Sequence, residues 1–343
     1  MTGIRALARH LDLSIGTVSR ALNAKPDVSA ETRQRVLEAA RELGYRPNQA
    51  GRALRNGRTN TIGMVLETGN ASTLGGDTFF MHLIDAMQET LAEQGLDMVL
   101  LPCRSADDPI EFLKRQVARR SVDALVITAT RRQDARIALL EDDGIPFLAL
   151  GRSETPGAYP WIDLDFAGVA RESVAQLARL GHRRIAIAAP RRDVNLAQIY
   201  IDGYRAALQE HGLPVDETLI LRASASENGG LAVAEALLDM PDRPTALLLG
   251  QELMAIGVYS RLQAEGLVPG RDLSIIGFRQ NPQLRFLDPS LACFALDIRA
   301  LGQAVGEAIV RIAAEGQDEE VTGRIWPMTF VLADSLCPPP APK

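Results

Sequence analysis

The chain has 343 residues, of which 46% are hydrophobic and 23% are charged. This composition excludes an intrinsically disordered chain, and the length predicts two or three domains. The formal net charge is −6, but residues 1–60 hold eleven Lys/Arg against five Asp/Glu, so a head of charge +6 precedes a body of charge −12. A compact basic segment on an acidic body favours a nucleic-acid partner, because phosphate groups are bound by clustered cations.

Three short helices are predicted in the head. The first covers Ile4–Leu11, and the second lies in LSIGTVSRAL at Leu13–Leu22, where Ser14 is a suitable N-cap. The third begins after Ser29 and ends at Gly44. Its predicted apolar stripe consists of Val36, Leu37, Ala40 and Leu43. Three helices joined by so tight a turn predict a helix-turn-helix DNA-binding domain over residues 1–46.

A conditional hinge helix is predicted next, within residues 47–59. Asn48–Asn56 is too short to be stable alone, since isolated helices under about 12 residues are marginal in water. Its large apolar residue, Leu54, stands between Arg52 and Arg55. This pattern predicts a wedge between base pairs flanked by phosphate contacts, with a plain linker around a buried leucine as the alternative.

From Thr61 onward the pattern alternates between strands and helices. The predicted strands are Thr61–Leu66, Met98–Leu101, Ala124–Ile127, Phe147–Leu150, Ile185–Ala189, Ala246–Leu249 and Ser274–Phe278. The predicted helices are Phe79–Gln94, Asp108–Arg119, Arg136–Asp143, Ala167–Leu180, Gln198–His211, Gly229–Met240 and Leu253–Glu265. Apolar strand runs between helices indicate parallel sheets, and their number predicts an α/β body of two doubly wound lobes.

The chain is expected to cross between the lobes at 163–165 and to return near 279–290. Lobe one is then about 60–162 and 294–324, and lobe two about 163–293 and 325–336. Ligands of such sheets bind beyond the strand carboxyl ends, which here face the inter-lobe cleft. The proline-rich end, 337–343, is predicted to be a disordered tail.

Several long motifs resemble the lactose-repressor/galactose-repressor (LacI/GalR) family. They are SIGTVSRALN (14–23), VSAETRQRVLEAARELGYRPN (28–48) and RALRNGRTNTIG (52–63), with LGHRRIAI (180–187), RPTALLLGQELMAIG (243–257) and DLSIIGF (272–278) further on. The resemblance implies a periplasmic-binding-protein-like effector and dimerisation domain over 60–336. It also implies a homodimer, or a tetramer, on a pseudo-palindromic operator in double-stranded DNA.

The resemblance also implies the DNA contacts. Ile15, Gly16 and Arg20 occupy positions that face major-groove bases, and Arg20 is the side chain suited to read guanine. Leu54 falls at the family's intercalating leucine. The positions that the resemblance implies for phosphate contact or helix support are Ser14, Thr17, Ser19, Asn23 and Tyr45. The hinge residues Asn48, Arg52 and Arg55 complete the predicted DNA contacts.

The effector site is predicted with alternatives. Phe79 and Phe80 begin a helix where the family places aromatic residues against the ligand, although ordinary core packing explains them equally well. Trp161 is expected either to stack on a sugar or to pack. The other candidates are Arg152, Asp165, Asn195, Tyr200, Gln251, Glu252 and Arg279. Many relatives have a ligand-binding arginine where Tyr200 stands, and an Asn-Asp pair is usual at 251–252.

Arg279 departs most from the family, which commonly has a ligand-binding aspartate at this position. An arginine cannot accept hydrogen bonds, and when buried it needs an anion. Either the effector supplies that anion, as a sugar phosphate or sugar acid, or Glu252 or Asp165 pairs with Arg279 and the effector is neutral. The internal pair is the favoured alternative, because an uncompensated buried charge is costly.

No feature of the sequence predicts an enzyme, a cofactor or a bound metal. The cysteines Cys103, Cys293 and Cys337 form no CxxC pair, and no GxSxG, HExxH, Walker or GxGxxG motif is present. No apolar run reaches the ~18 residues of a membrane span, and the start MTGIRALARH lacks a signal-peptide core, so we expect a cytoplasmic protein without membrane contact.

The sequence predicts a repressor of carbohydrate-uptake or catabolism genes controlled by a carbohydrate-like effector. A regulator of other metabolism, with a co-repressor or an anionic effector, is the alternative.

Overall fold

The computed structural model describes residues 3–22, 25–45, 58–68, 78–191, 193–315 and 323–340. The chain divides into two compact units, Met1–Thr59 and Asn60–Lys343. The hinge helix predicted over Asn48–Asn56 lies outside the described residues. Within them, no helix is both long enough and apolar enough to span a membrane.

The head contains the three predicted helices. They are α1 (Ile4–Leu11), α2 (Ile15–Leu22) and α3 (Ala30–Glu42). The Ser14 hydroxyl accepts a hydrogen bond from the amide of Thr17 at 3.0 Å. The Ser29 hydroxyl accepts one from the amide of Thr32 at 3.2 Å. Each hydroxyl satisfies one of the amides that a first helical turn leaves unpaired, so both predicted caps are confirmed.

The core of the head joins Val18 of α2 to Val36 of α3, both fully buried. The prediction for Leu37 is wrong, since 39% of that residue is exposed, whereas Ala39 and Ala40 are buried. The reason is the helical period: residues three and four positions after Val36 share its face, but the next residue is turned by about 100°.

Two six-stranded sheets form the body. Sheet one contains β1 (Thr61–Glu67), β2 (Asp97–Cys103), β3 (Ala124–Thr128), β4 (Phe147–Leu150), β5 (Trp161–Leu164) and β11 (Arg324–Trp326). Sheet two contains β6 (Ile185–Pro190), β7 (Ile220–Ala223), β8 (Ala246–Leu249), β9 (Ser274–Arg279), β10 (Ala292–Ala295) and β12 (Thr329–Val331). The strand orders are β11-β5-β4-β3-β1-β2 and β12-β10-β9-β8-β6-β7. All pairings are parallel except that of β10 with β12, which confirms two doubly wound lobes.

Helices cover both faces of each sheet. They are α4 (Phe79–Glu93), α5 (Pro109–Arg119), α6 (Ala135–Asp142), α7 (Phe166–Arg179), α8 (Asn195–Glu210), α9 (Glu227–Leu238), α10 (Met254–Ala264) and α11 (Ile298–Glu315). In lobe one α4 packs on α11 and α5 contacts α6, whereas in lobe two α7 packs on α8 and α9 on α10. Because inner strands such as β3 (ALVIT) are covered on two faces, their residues are buried and mostly apolar.

The chain passes between the lobes three times. It leaves sheet one after β5, returns after β10 in the helix α11, and goes back between β11 and β12. The return predicted over 279–290 is therefore wrong, because β10 pairs with β9 in sheet two and the chain is still in lobe two there. That segment instead contains a short 3₁₀ helix, Pro282–Phe286.

Cys337, which the sequence placed in a disordered tail, is held in the structure. Its carbonyl lies 2.8 Å from Nε2 of His182 and accepts a hydrogen bond from the Ser274 hydroxyl, also at 2.8 Å. Since that carbonyl can only accept, Nε2 of His182 donates. Nδ1 of the neutral ring then accepts from the hydroxyl of Thr245 at 2.8 Å. Burial lowers the pKa of His182, so this histidine is a structural hydrogen-bonding group.

Candidate functional site

One face of α2 carries the predicted base-reading residues on an exposed surface. Ile15 is 46% exposed, and Gly16 and Arg20 are exposed beside it. The capping residue Ser14 is also exposed, whereas Thr17 and Ser19 are half-buried at the edge of this face. The opposite face holds Val18 in the core, so burial of one side of α2 presents the other to solvent. Tyr45 packs partly buried against the same core.

Arg20 forms an exposed ion pair with Asp27. Its Nε lies 3.2 Å from a carboxylate oxygen of Asp27, and both side chains are more than half exposed. Such a surface pair contributes about 0–1 kcal/mol, so Asp27 holds the guanidinium only weakly. Arg5 and Arg9 of α1 line a depression together with Ile15, which adds positive charge beside the same face.

The remaining predicted DNA contacts lie outside the described residues. These are Asn23, Asn48, Arg52, Leu54 and Arg55. Their assignment therefore stays a prediction from the sequence.

A cleft of about 410 Å³ opens between the two lobes of the body. Its wall is built from segments that directly follow strands: 128–130 after β3, 150–152 after β4, 223–225 after β7 and 250–252 after β8. Both sheets thus point their carboxyl ends at one cavity, whose volume falls in the range of about 300–1,000 Å³ typical of small-molecule sites. Six predicted residues line it: Phe79, Phe80, Arg152, Gln251, Glu252 and Arg279.

Arg279 is paired with a protein carboxylate. Its Nε donates to Oε1 of Glu252 at 2.6 Å, and both side chains are over nine-tenths buried. The guanidinium carbon also lies 4.2 Å from the ring centroid of Phe79. Phe79 begins α4 of lobe one and Arg279 ends β9 of lobe two, so this cation–π contact spans the cleft. The favoured alternative for Arg279, an internal pair with Glu252, agrees with this geometry.

A second ion pair of the cleft lining joins Arg152 and Asp163, which both belong to lobe one. Nε of Arg152 is 3.3 Å from Oδ2 of Asp163. The geometry is poor, because Oδ2 accepts no hydrogen bond although it is buried. Burial raises the pKa of Asp163 to about 7, and the nearby Arg152 charge only partly opposes that shift. Trp161 lies outside the cavity lining, with its ring 5.9 Å from the guanidinium carbon of Arg152.

Three other predicted effector residues also lie outside the cavity lining. Asp165 caps α7, accepting from the amide of Gly168 at 2.9 Å. The Asn195 side chain donates to the carbonyl of Arg152 at 2.9 Å. Tyr200 is 1% exposed, and its hydroxyl donates to the carbonyl of Leu249 at 3.3 Å. These contacts assign capping, lobe-bridging and core-packing roles to the three residues.

Sequence reasoning missed several polar groups of the cleft. They are Thr128, Thr130, Asp163, Arg191 and Ser224, which all lie within two positions of the carboxyl end of a strand. It also missed two aromatic residues of the cleft lining, Phe166 and Phe278. Phe166 and Phe278 stack with their ring centroids 4.7 Å apart and nearly parallel planes. A search for every polar or aromatic residue within two positions of a strand end would have found most of them.

A buried ionic network was also missed at the carboxyl end of β1. Arg136 is 1% exposed and donates to Glu67 at 3.1 Å and to Asp134 at 2.6 Å. Arg131 makes two further hydrogen bonds to Glu67. These four residues lie outside the cavity lining and join the ends of β1 and β3 to the start of α6. Among the described residues, no cluster of His, Cys, Asp and Glu is arranged to hold a metal ion.

Comparison with known proteins matches both units of the chain. Residues 4–48 match the family described as "Bacterial regulatory proteins, lacI family". Residues 59–329 match "Periplasmic binding proteins and sugar binding domain of LacI family". HTH-type transcriptional regulator AglR of Rhizobium meliloti is 33% identical, over 98% of this chain and 95% of its own length. HTH-type transcriptional regulator RafR of Escherichia coli is 32% identical, over 95% of this chain and 96% of its own length.

Solved structures show the same architecture. A transcriptional regulator CelR–cellobiose complex is 26% identical and has a TM-score of 0.73, over 97% of this chain and 99% of that chain. A lac repressor dimer bound to operator and the anti-inducer ONPF shares the fold, with a TM-score of 0.84 at 23% identity over 97% of this chain and 98% of that chain. The chain therefore belongs to the LacI family, whose members are DNA-binding transcriptional regulators and not enzymes.

Proposed function

We propose that this regulator is a cytoplasmic repressor of carbohydrate-uptake or catabolism genes, and that a neutral sugar-like effector in the cleft controls its affinity for operator DNA. The observation that carries the effector class is the buried pair of Arg279 with Glu252 at 2.6 Å. Because a protein carboxylate already neutralises this guanidinium, the effector needs no anionic group to do so.

The remainder of the cleft supports the same ligand chemistry. Phe79, Phe80 and the stacked Phe166–Phe278 pair offer apolar ring faces, against which the C–H faces of a sugar can pack. Thr130 and Gln251 add neutral polar groups. A related structure is described as a CelR–cellobiose complex, so a disaccharide is a reasonable first probe for this cavity.

We propose that the exposed face of α2 reads the operator. Arg20 recognises guanine in the major groove, Ile15 contacts an apolar base edge, and Gly16 permits close approach of the backbone. Ser14, Thr17, Ser19, Asn23 and Tyr45 support the helix or contact phosphates, as do Asn48, Arg52 and Arg55 around the wedge residue Leu54. The effector weakens binding by favouring a lobe arrangement in which two hinge segments no longer fit the minor groove together.

The proposal includes a homodimer, which a pseudo-palindromic operator requires. Strand β2 is an edge of sheet one, and its residues Val99 and Leu100 are 38% and 40% exposed. Met81, on the adjacent helix α4, is 55% exposed. An exposed edge strand with apolar side chains is a surface that a second copy can cover. Light scattering should give twice the chain mass for the protein, and a monomer for Leu100→Glu.

An anionic effector, such as a sugar phosphate, or a co-repressor is the second candidate. It is favoured by Arg191, an exposed residue of the cleft lining. Arginine recognises phosphate by two parallel hydrogen bonds, so an anionic effector would depend on this side chain.

A thermal-shift screen decides between the two effector classes. The panel contains cellobiose, maltose, melibiose and sucrose, together with glucose 6-phosphate, fructose 1,6-bisphosphate and gluconate. We expect stabilisation by at least one neutral sugar, retained in Arg191→Ala. Stabilisation by phosphorylated or carboxylated compounds alone, lost in Arg191→Ala, would overturn the neutral-effector proposal.

A further inference from the structure

We propose that Asp163 determines effector specificity: its carboxylate accepts a hydrogen bond from a hydroxyl of the ligand, and ligand binding releases a proton. This inference rests on the proposed function, since it requires a hydroxyl-bearing effector in the inter-lobe cleft. It concerns a residue of β5 that neither the sequence motifs nor the resemblance to the family singled out.

Asp163 has an unused acceptor oxygen, and the residue lines the cavity. The residue is 4% exposed and lines the cleft. Its Oδ2 accepts no hydrogen bond, although Nε of Arg152 is 3.3 Å away. A buried carboxylate oxygen without a hydrogen bond is costly, so a ligand that donates to it gains more than the same contact would give in water.

The other buried carboxylate of the cleft is already engaged. Glu252 holds Arg279 at 2.6 Å, whereas Oδ2 of Asp163 is the buried carboxylate oxygen that lacks a hydrogen bond among the described residues. A hydroxyl group of the ligand therefore donates its hydrogen bond to Asp163, in lobe one.

A complementary donor lies in lobe two. Nε2 of Gln251 is buried without a hydrogen-bond partner, whereas Oε1 of the same side chain accepts from the amide of Leu253 at 2.8 Å. Gln251 lines the same cavity as Asp163. A hydroxyl group both donates and accepts, so a polyhydroxy ligand can satisfy the acceptor of one lobe and the donor of the other. A ligand that only accepts, such as a phosphate dianion, would leave Asp163 unsatisfied and repel its charge.

The protonation state of Asp163 makes this contact sensitive to pH. Burial, with a smaller contribution from the charge of Asp165, raises the pKa of the carboxyl to about 7. Arg152 and the backbone amides of Arg152 and Leu164 lower the pKa but do not cancel the shift. From lobe two, the cavity is lined by the charged residues Arg191, Glu252 and Arg279. Near neutral pH the unliganded site is therefore a mixture of carboxyl and carboxylate, and the hydroxyl contact selects the carboxylate.

The first test measures binding by the unmodified protein. Isothermal titration with the sugar of the neutral panel that gives the largest thermal shift is run at pH 6, 7 and 8. The fraction of Asp163 that is ionised, and therefore able to accept the ligand's hydrogen bond, rises from about one tenth to about nine tenths over this range. We therefore expect the affinity to rise about tenfold. Titration at pH 7 in buffers of different ionisation enthalpy should show release of about half a proton per site.

The second test uses Asp163→Asn, which keeps the size of the side chain but removes its titration. We expect its affinity for the same sugar to be about tenfold or more below that of the unmodified protein at pH 8, with little dependence on pH. The matched control is Asp142→Asn, which removes an exposed carboxylate of the same lobe and should leave both affinity and pH profile unchanged.

The outcomes separate this inference from the proposed function. If a neutral sugar binds with equal affinity at pH 6 and pH 8, and Asp163→Asn binds it as well as the unmodified protein does, the inference is overturned and the proposed function stands. If no neutral sugar binds while a sugar phosphate does, the proposed function fails and the inference fails with it. The pH profile of the unmodified protein decides the matter even if Asp163→Asn does not fold.

Discussion

Replacing Glu252 by glutamine removes the carboxylate that neutralises Arg279 while keeping the shape of the side chain. Arg279 is only 6% exposed, so the variant leaves a buried cation without its 2.6 Å partner. Breaking a buried ion pair on one side costs about 3–5 kcal/mol. We therefore expect Glu252→Gln to lower the free energy of unfolding by about 3–5 kcal/mol.

Urea denaturation followed by circular dichroism measures this loss. Glu154→Gln is the matched control, since it breaks an ion pair of similar length, 2.7 Å to Arg132, whose two side chains are about half exposed. That control should cost less than about 1 kcal/mol. The double variant Glu252→Gln/Arg279→Met should recover much of the loss, because it removes the uncompensated charge and keeps the apolar stem. If Glu252→Gln costs no more than Glu154→Gln, the buried pair does not neutralise Arg279 and the argument for a neutral effector fails.

Three further predictions concern the hinge, the cleft and the packing of lobe two. Leu54→Ala should keep the fold and the oligomeric state but lose most operator affinity, and unchanged affinity in a mobility-shift titration would refute the wedge role. Because the pKa of Asp163 rises from 3.8 to about 7 on folding, the ionised carboxyl destabilises the folded state progressively as pH rises from 4 to 7. Asp163→Asn should therefore gain stability relative to the unmodified protein, by up to about 4 kcal/mol, between pH 4 and pH 8, and a pH-independent difference would contradict the shift. Gly257→Ala should lower the urea midpoint by the equivalent of roughly 1–3 kcal/mol, because the added methyl group on α10 meets the carbonyl of Glu227 on α9. An unchanged midpoint would show that α9 and α10 can move apart to accept it.

The sequence predicted most helices and seven strands of the described residues, namely β1, β2, β3, β4, β6, β8 and β9. Strands such as β3 and β8 are nearly continuous apolar runs, because both of their faces are covered. Such runs can be recognised from the sequence alone. The short strands β5, β7, β10, β11 and β12 were missed, because a run of three or four residues is a weak signal and its pairing depends on chain segments far away. Helix α11 was also missed. Gly302 and Gly306 weaken its helical pattern, yet both lie where α11 approaches α4 too closely for a larger residue.

The effector site was predicted less well than the DNA-reading helix. The face of α2 follows from helical periodicity and a cap within ten residues, so local sequence determines it. The cleft depends on which side chains two sheets direct at each other, and sequence spacing does not encode that. Tyr200 illustrates the difference, because its place in the motif suggested a ligand contact while its hydroxyl is used by the carbonyl of Leu249. Asp163 shows the reverse, since only burial and a missing hydrogen bond reveal it.

Fluorescence anisotropy with the gene's own upstream DNA tests the central claim most directly. The protein is titrated at about 0.15 M salt into this DNA and into a scrambled duplex of equal length, with and without the neutral sugar identified by thermal shift. The account predicts at least about a thousandfold preference for the upstream DNA, and a loss of that affinity when the sugar is added. Equal affinity for the two duplexes, unchanged by the sugar, would contradict a sequence-specific repressor controlled by a sugar-like effector.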